Sequence, residues 1–401
     1  MSTTAQRRRP MLLPDPSPRE VHYTLISVDD HLVEPAHTFV RRMPARYADL
    51  APKVIVTDSG AEAWTYDGQV FVQLGLNAVV GRDDTLGRES EPTHFDEMRR
   101  GCYDPAARVA DMDINGVWAS LNFPSTISGF CGAVFSRTSD AELGQSVMRA
   151  WNDWAYDEWY APYPERFIPL GITWLADAQI AAAEIRRNAA RGFKAVSLPE
   201  QPHRLGYPSL HSGYWDPVIE ACVETDTVVC LHVGSSGNAV VASDAPGGIA
   251  GVLFSALSLN ACVDWLWSAL PIRYPDLKIA MSEGGIGWVP MLMDRLDFVM
   301  SRARFGRAHW PSTEVHPTEV LQRNFWFCSI DDPSVLPCVE RIGIERVMLE
   351  VDYPHADSTW PDTQELLAER LATMSDDVAR KITHENAAGL FRHPLPRVRR
   401  P

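Results

Sequence analysis

The sequence has no surplus of positive charge, no cysteine pairs at metal-binding spacing, no long apolar run and no glycine-rich phosphate loop. Each absence removes a class of function. With 52 acidic against 37 basic residues the formal net charge is -15, which excludes nucleic acid as a partner and disfavours an anionic membrane surface. The seven cysteines, Cys102, Cys131, Cys222, Cys230, Cys262, Cys328 and Cys338, are odd in number and scattered. Neither a disulfide framework nor a thiolate zinc site follows, and a reducing cytoplasm is the expected location. No stretch is apolar for long enough to span a bilayer. Arg7-Arg8-Arg9 could open an export signal, but Pro10-Met11-Leu12-Leu13-Pro14 is too short and too proline-broken to serve as its apolar core. Residues 1–20 are therefore expected to be a flexible N-terminal tail, and 393–401 a C-terminal one.

What is present is a rhythm. The 401 residues are 45% hydrophobic, enough for one large domain or two ordinary ones. Eight short apolar runs are separated by helical stretches, beginning with Leu25-Ile26-Ser27-Val28 and ending with Arg346-Val347-Met348-Leu349. Eight such units predict an α/β fold, a parallel (β/α)8 TIM barrel over 21–392. A doubly wound open sheet competes, but it would want the phosphate loop that is missing. A small β insertion after strand 1 is expected within 36–105, where Lys53-Val54-Ile55-Val56 and Gln69-Val70-Phe71-Val72 flank turns at Asp58-Ser59-Gly60 and Asp67-Gly68.

In such a barrel, chemistry sits where strands end. The first strand ends in Asp29-x-His31-x-x-Glu34, and alternation puts Asp29 and His31 on one side. The fifth ends in His232-Val233-Gly234, the sixth in Glu283-Gly284-Gly285, and the eighth in Asp352-Tyr353-Pro354-His355. A lone histidine at a strand end is usually hydrogen-bonded scaffold, and Asp-Asp before a helix is usually a cap. Four strands delivering metal-ligand side chains to one rim point instead to a metal site.

These residues also carry a resemblance. Asp29-x-His31-x-x-Glu34-Pro35, His232-x-Gly234, Ser282-Glu283-Gly284-Gly285-Ile286-Gly287-Trp288 and Asp352-Tyr353-Pro354-His355-x-Asp357-Ser358-Thr359-Trp360-Pro361 resemble the amidohydrolase-related TIM barrels. That family includes aminocarboxymuconate-semialdehyde and resorcylate decarboxylases. The likeness runs from about residue 24 to 392, ending in Asn386-Ala387-Ala388. It implies a first metal held by Asp29, His31, His232 and Asp352. Glu283 stands where the decarboxylases typically place a histidine. A carboxylated lysine bridge is not expected, because Lys194 opens the fourth strand, which finishes in Leu198-Pro199-Glu200. Asn152-Asp153-Trp154 resembles a family motif and is read as core. Phe130-Cys131-Gly132 resembles a family loop, without the arginine often found before it.

The metal candidates are thus Asp29, His31, Glu34, His232, Glu283, Asp352 and His355, with Glu350 on the same side but deeper. Seven donors exceed the needs of one tetrahedral zinc. An oxygen-rich set with histidines suits two Fe2+ or Mn2+ ions, whose charge would offset four buried carboxylates. The Ser-Glu-Gly-Gly-Ile-Gly-Trp form resembles a narrower group, dinuclear oxygenases on the amidohydrolase scaffold, some acting on CoA-linked acids such as diterpenoids. The leading expectation is therefore a nonheme dinuclear iron monooxygenase of secondary metabolism. It would hydroxylate an aliphatic carbon of a carboxylic-acid or CoA-linked, terpenoid-type substrate, with O2 and an electron donor as partners. The alternative is a mononuclear Zn2+ or Mn2+ hydrolase or decarboxylase. A third reading, a barrel without chemistry, conflicts with the full set of rim donors. A CoA thioester would want a basic path, for which Arg302, Arg304 and Arg307 are weak candidates, and a homodimer is a further expectation.

Overall fold

The computed structural model describes residues 12–83, 91–246, 248–302, 307, 309–334 and 336–397. The Arg7-Arg8-Arg9 run and Arg304 lie outside the described residues. In chain order the strands are β1 (Ile26–His31), β2 (Lys53–Val56), β3 (Glu62–Tyr66), β4 (Gln69–Phe71), β5 (Ala119–Phe123) and β6 (Phe167–Ile168). They continue with β7 (Leu170–Gly171), β8 (Ala195–Leu198), β9 (Val228–His232), β10 (Ile279–Ser282), β11 (Phe325–Ser329) and β12 (Val347–Leu349).

The main sheet runs β6-β5-β1-β12-β11-β10-β9-β8-β7. Its two end strands are halves of one run, split at Pro169, which has no N–H to give. One half is bonded to β5 and the other to β8, both parallel. Taken as one stave, they bring the sheet back onto itself as the expected eight-membered barrel. Alternate residues of the staves, among them Ile26, Val28, Leu121, Ile168, Cys230 and Met348, pack together along the axis. Helices bury the outer faces, so β8 and β9 are buried at every residue.

Local chemistry explains the helix limits. Pro105–Ile114 starts on Asp104, whose carboxylate accepts from Ala107 N, with proline at the first position. Ala178–Arg191 starts on Asp177 and stops at Gly192, whose φ of 111° is a left-handed cap. The expected insertion is a three-stranded antiparallel sheet, β2-β3-β4, with β3 as a middle strand that the turn signals did not isolate. Three further details differ from expectation. The helical stretch after β9 is broken, with one helix at Phe254–Trp267 and a short one at Leu270–Arg273. A helix at Pro317–Asn324 precedes β11. The last strand stops at Leu349 rather than Asp352, where the backbone turns left-handed with φ of 57°.

The start of the described chain is held against the barrel rather than trailing from it. Leu13 N donates to Gly81 O at 2.7 Å, and Arg99 pairs with Asp15 at 2.9 Å.

Candidate metal centre

Strand pairing places the site. Asp352 N donates to Asp29 O at 2.9 Å and His31 N to Tyr353 O at 2.6 Å, which joins the ends of β1 and β12. Ser282 is in register with His232, which sets β10 beside β9. The pairing of β1 with β5 slips between Ser27 and Asp30, an irregularity centred on the first donor. Glu283 and Asp352 both adopt left-handed backbone, with φ of 59° and 57°. That conformation is uncommon outside glycine and clusters at functional sites.

Six of the seven predicted donors meet. His31 Nε2 lies 3.4 Å from Asp29 Oδ1, 3.3 Å from Asp352 Oδ1 and 3.0 Å from His232 Nε2. His232 Nε2 is also 3.3 Å from Glu283 Oε2 and 3.6 Å from Asp29 Oδ2. His355 Nδ1 is 3.0 Å from Asp352 Oδ1, and its ring stacks on that of His31 at 3.9 Å. Three donor sets of metal-binding size result: Asp29, His31 and His232; His31, Asp352 and His355; and Glu283, Asp352, His355 and Asp357. His232 Nδ1 is 2.7 Å from Val233 O. A carbonyl can only accept, so Nδ1 carries the hydrogen and Nε2 presents its lone pair to the cluster.

Glu34 is the exception. It is fully buried, but its carboxylate accepts from Ser125 N at 3.3 Å, Ser125 Oγ and Trp151 Nε1 at 2.8 Å. It lies outside all three donor sets. Three residues past a strand, alternation no longer dictates direction. Glu350 sits below the rim, where one oxygen accepts from Glu283 N at 3.1 Å. Asp30 turns the other way, toward Ser27 Oγ at 2.9 Å and Tyr353 N at 3.2 Å.

The electrostatics test whether a cation fits. Among the described residues, both oxygens of Asp29, both of Asp352, Oε1 of Glu350 and Nδ1 of His31 are buried without a hydrogen-bond partner. Buried polar atoms are rarely left so. Burial, then Glu350 and Asp352, pushes the Asp29 carboxyl well above its usual range. Burial and Asp357 do the same to Asp352, and burial and Asp352 to Glu283. Burial lowers His232 to about 3, and burial with the neighbouring His355 and His232 pushes His31 well down. Charged carboxylates and lone-pair imidazoles would coexist here if a divalent cation supplied the missing charge. The donor set therefore fits a metal ion.

Aromatic rings close the cluster from one side. The Phe130 ring stacks on His232 at 4.7 Å and stands edge-on to His31 at 5.5 Å, held there by a left-handed backbone with φ of 62°. Phe123 lies 4.9 Å from His232. On the other side, His355 lines a cavity of about 1050 Å³ that also touches Val80, Arg82 and Trp360.

A family model described as amidohydrolase matches residues 37–393. The chain belongs to the amidohydrolase family. Asp29, His31 and Glu34 lie just before the matched span, while the other four predicted donors lie within it. An amidohydrolase from Mycobacterium avium subsp. paratuberculosis is 22% identical, covering 93% of this chain and all (100%) of that one, with a TM-score of 0.73. A manganese-bound 5-carboxyvanillate decarboxylase from Novosphingobium aromaticivorans is 20% identical over 94% of this chain and 100% of that one, with a TM-score of 0.64. A dihydroxybenzoic acid decarboxylase from a Polaromonas species, with manganese and 2-nitroresorcinol bound, is 17% identical over 92% and 97%, with a TM-score of 0.62. No curated protein matches the chain.

These comparisons correct the leading expectation. Solved structures that this amidohydrolase resembles include amidohydrolases and decarboxylases, some with manganese bound, which is the class weighed as the alternative to a dinuclear iron monooxygenase. Dioxygen and the electron donor fall with that reading. Its motivating feature, Glu283, sets the charge of the site but does not choose between redox and redox-neutral chemistry.

Other residues have structural partners. Asn152 is buried, holding Ile172 O and Glu184 Oε1 at 2.9 and 3.0 Å. His384 lies 3.1 Å from Thr24 O. Arg302 lies against Phe298, with 5.2 Å to the ring centroid. Glu200, just past β8, was named in the sequence without a role. It is buried, and Oε2 accepts from Gly234 N at 2.9 Å. Burial lifts its carboxyl to about 8. Among the described residues no helix is long and apolar enough to cross a membrane.

Proposed function

We propose that this amidohydrolase is a metal-dependent decarboxylase of a small carboxylic acid, with hydrolysis at the same centre as the second outcome of the test. The observation that carries the reading is the group of buried, unpartnered carboxylate oxygens converging with imidazole nitrogens at the barrel mouth. Asp29, His31, His232 and Asp352 would hold one divalent ion, manganese or zinc. Glu283, Asp352, His355 and Asp357 form a further set that would hold a second ion, the arrangement expected for two irons. A bound ion supplies Lewis-acid polarisation of the substrate's oxygens and offsets their charge.

The chain's own residues supply the rest. Phe123 and Phe130 keep water from the imidazoles. The Nδ1–H bond to Val233 O fixes His232 in one tautomer and one orientation. Asp352, 3.0 Å from His355 Nδ1 at the edge of the cluster, is placed to pass a proton to carbon. In that step the carbon–carboxyl bond breaks, CO2 leaves, the electron pair stays on carbon, and a proton taken up from solvent by way of Asp352 replaces the carboxylate. The reaction is redox-neutral and needs no oxygen.

The test is turnover of hydroxybenzoic acids by manganese- or zinc-loaded protein under nitrogen. The expected result is CO2 release with one solvent deuteron in the product. Turnover that stops without O2 would overturn the reading, and release of an amine or alcohol without CO2 would assign hydrolysis instead.

A further inference from the structure

The turn that follows β9 connects His232 to a buried acid on the loop after β8. Ser235 N donates to His232 O at 3.2 Å, and Gly234 between them has a φ of 78°. A tight turn with glycine at its third position takes this form, and its central peptide stands across the turn. Both ends of that peptide, Val233–Gly234, are engaged. Its carbonyl accepts from His232 Nδ1 at 2.7 Å, and its N–H donates to Glu200 Oε2 at 2.9 Å. The line from cluster to acid is therefore His232 Nδ1–H, Val233 O, Gly234 N–H, Glu200 Oε2. Amide resonance couples the two ends, so an N–H drawn toward a carboxylate makes its carbonyl a stronger acceptor.

The rest of Glu200 is fixed. Its N donates to Ser235 Oγ at 3.1 Å, and its carbonyl accepts from Trp265 Nε1 at 2.9 Å. Glu200 is 2% exposed, and Oε1 has no hydrogen-bond partner among the described residues. Packing alone would favour an apolar side chain at such a position.

We infer that Glu200 is a positioning residue for the metal centre: through the Val233–Gly234 peptide it fixes the His232 ring and strengthens Nε2 as a donor. Metal-bound histidines commonly give their other N–H to a carboxylate, which raises their basicity. Here a peptide is interposed between the two. The inference rests on His232 as a metal ligand and not on the proposed reaction.

The experiment compares the native full chain with E200M, E200Q and S236A. One readout is zinc affinity, by competition with a chelator. The other is the proton resonance of His232 Nδ1–H, assigned by its loss in H232A and recorded in both chelated and zinc-loaded protein. Burial lifts the Glu200 carboxyl to about 8, while Arg204 on its own loop favours the charged form. The Cys131 thiol lies within electrostatic reach of it, on the loop after β5. Both readouts are therefore taken at about pH 6.5 and about pH 9, on either side of that value.

E200M removes the acceptor. At about pH 9 it is expected to bind zinc about tenfold more weakly, the lower end for an outer partner of a ligand, and to move the resonance upfield. E200Q keeps an acceptor without the charge. It is expected to match the native protein at about pH 6.5 and to bind at least about threefold more weakly at about pH 9. S236A cuts a neighbouring bond between the same loops, Gln201 N to Ser236 Oγ at 2.8 Å, and is expected to change neither readout. Zinc affinities of E200M and E200Q within about twofold of native at about pH 9 overturn the inference. So does a resonance common to all three proteins, or an S236A effect as large as that of E200M. Should E200M not fold, E200Q carries the same test. A native protein that binds no zinc sinks His232 as a ligand, and this inference with it. The expected pattern in a protein that decarboxylates no acid would sustain Glu200 and sink the proposed reaction.

Discussion

Replacing His232 with alanine probes the metal cluster through stability, without any need to know the substrate. His232 Nε2 stands 3.0 Å from His31 Nε2, 3.3 Å from Glu283 and 3.6 Å from Asp29, so its loss removes a donor from the centre of the cluster. Losing an outer partner of a ligand typically weakens metal binding by about 10–100-fold. A direct ligand should cost at least the upper figure, about 2.7 kcal/mol at 1.36 per decade. With free Mn2+ or Zn2+ at about 100 times the native Kd, binding stabilises the native fold by about 2.7 kcal/mol. A hundredfold weaker site at the same concentration leaves RT ln 2, about 0.4 kcal/mol. H232A also loses packing against Phe130 and Phe123. The quantity to compare is therefore the increment each protein gains from metal, not its absolute stability. Chemical denaturation of chelated and metal-supplemented samples measures it. An increment in H232A equal to that of the native protein would refute the placement of the ion.

Three further outcomes follow from particular contacts. Burial raises the folded-state carboxyl of Glu200 to about 8 from an ordinary 4.5, so the folded chain binds the extra proton between those values. Its stabilising contribution is complete below about pH 4.5 and is lost as pH rises through 8, on the order of 1.4 kcal/mol per unit. E200Q should flatten that decline between about pH 4.5 and 8 in melting curves, and an unchanged slope would contradict it. E34Q sets an amide N–H against donors from Ser125 and Trp151. It should destabilise by about 1–3 kcal/mol with metal content unchanged, and loss of metal on denaturation-free gel filtration would instead make Glu34 a ligand. A Cβ at Gly284 would lie 1.9 Å from Ser258 Oγ and 2.4 Å from Ser258 Cβ. G284A should cost about 1–3 kcal/mol and disturb the adjoining Glu283, with S258G restoring both melting temperature and metal affinity.

Much of the cluster was legible because strand geometry is local. Asp29 and His31 share a side by alternation, and His232, Glu283 and Asp352 follow from where apolar runs stop. Glu34 turns away from the other donors because it lies in a loop, where its direction depends on Trp151, a residue 117 positions away. Arg82 left no signal at all, since its burial depends on how the insertion folds over the barrel mouth. The left-handed backbone at Glu283, Asp352 and Phe130 is equally silent in sequence, because none of the three is glycine. The chemistry was legible only to the level of a metal site. A list of donors sets charge and coordination, but the same donors serve redox and redox-neutral ions, and Glu283 was given too much weight in choosing between them.

The central claim is that buried carboxylates and imidazoles from β1, β9 and β12 converge because a divalent ion belongs among them. Anomalous diffraction from crystals of the purified protein, recorded at the manganese, iron and zinc edges, tests it directly. The account predicts a peak among Asp29, His31, His232 and Asp352, with any second peak beside Glu283 and His355. Fully loaded crystals with no peak at the mouth of the barrel would contradict it.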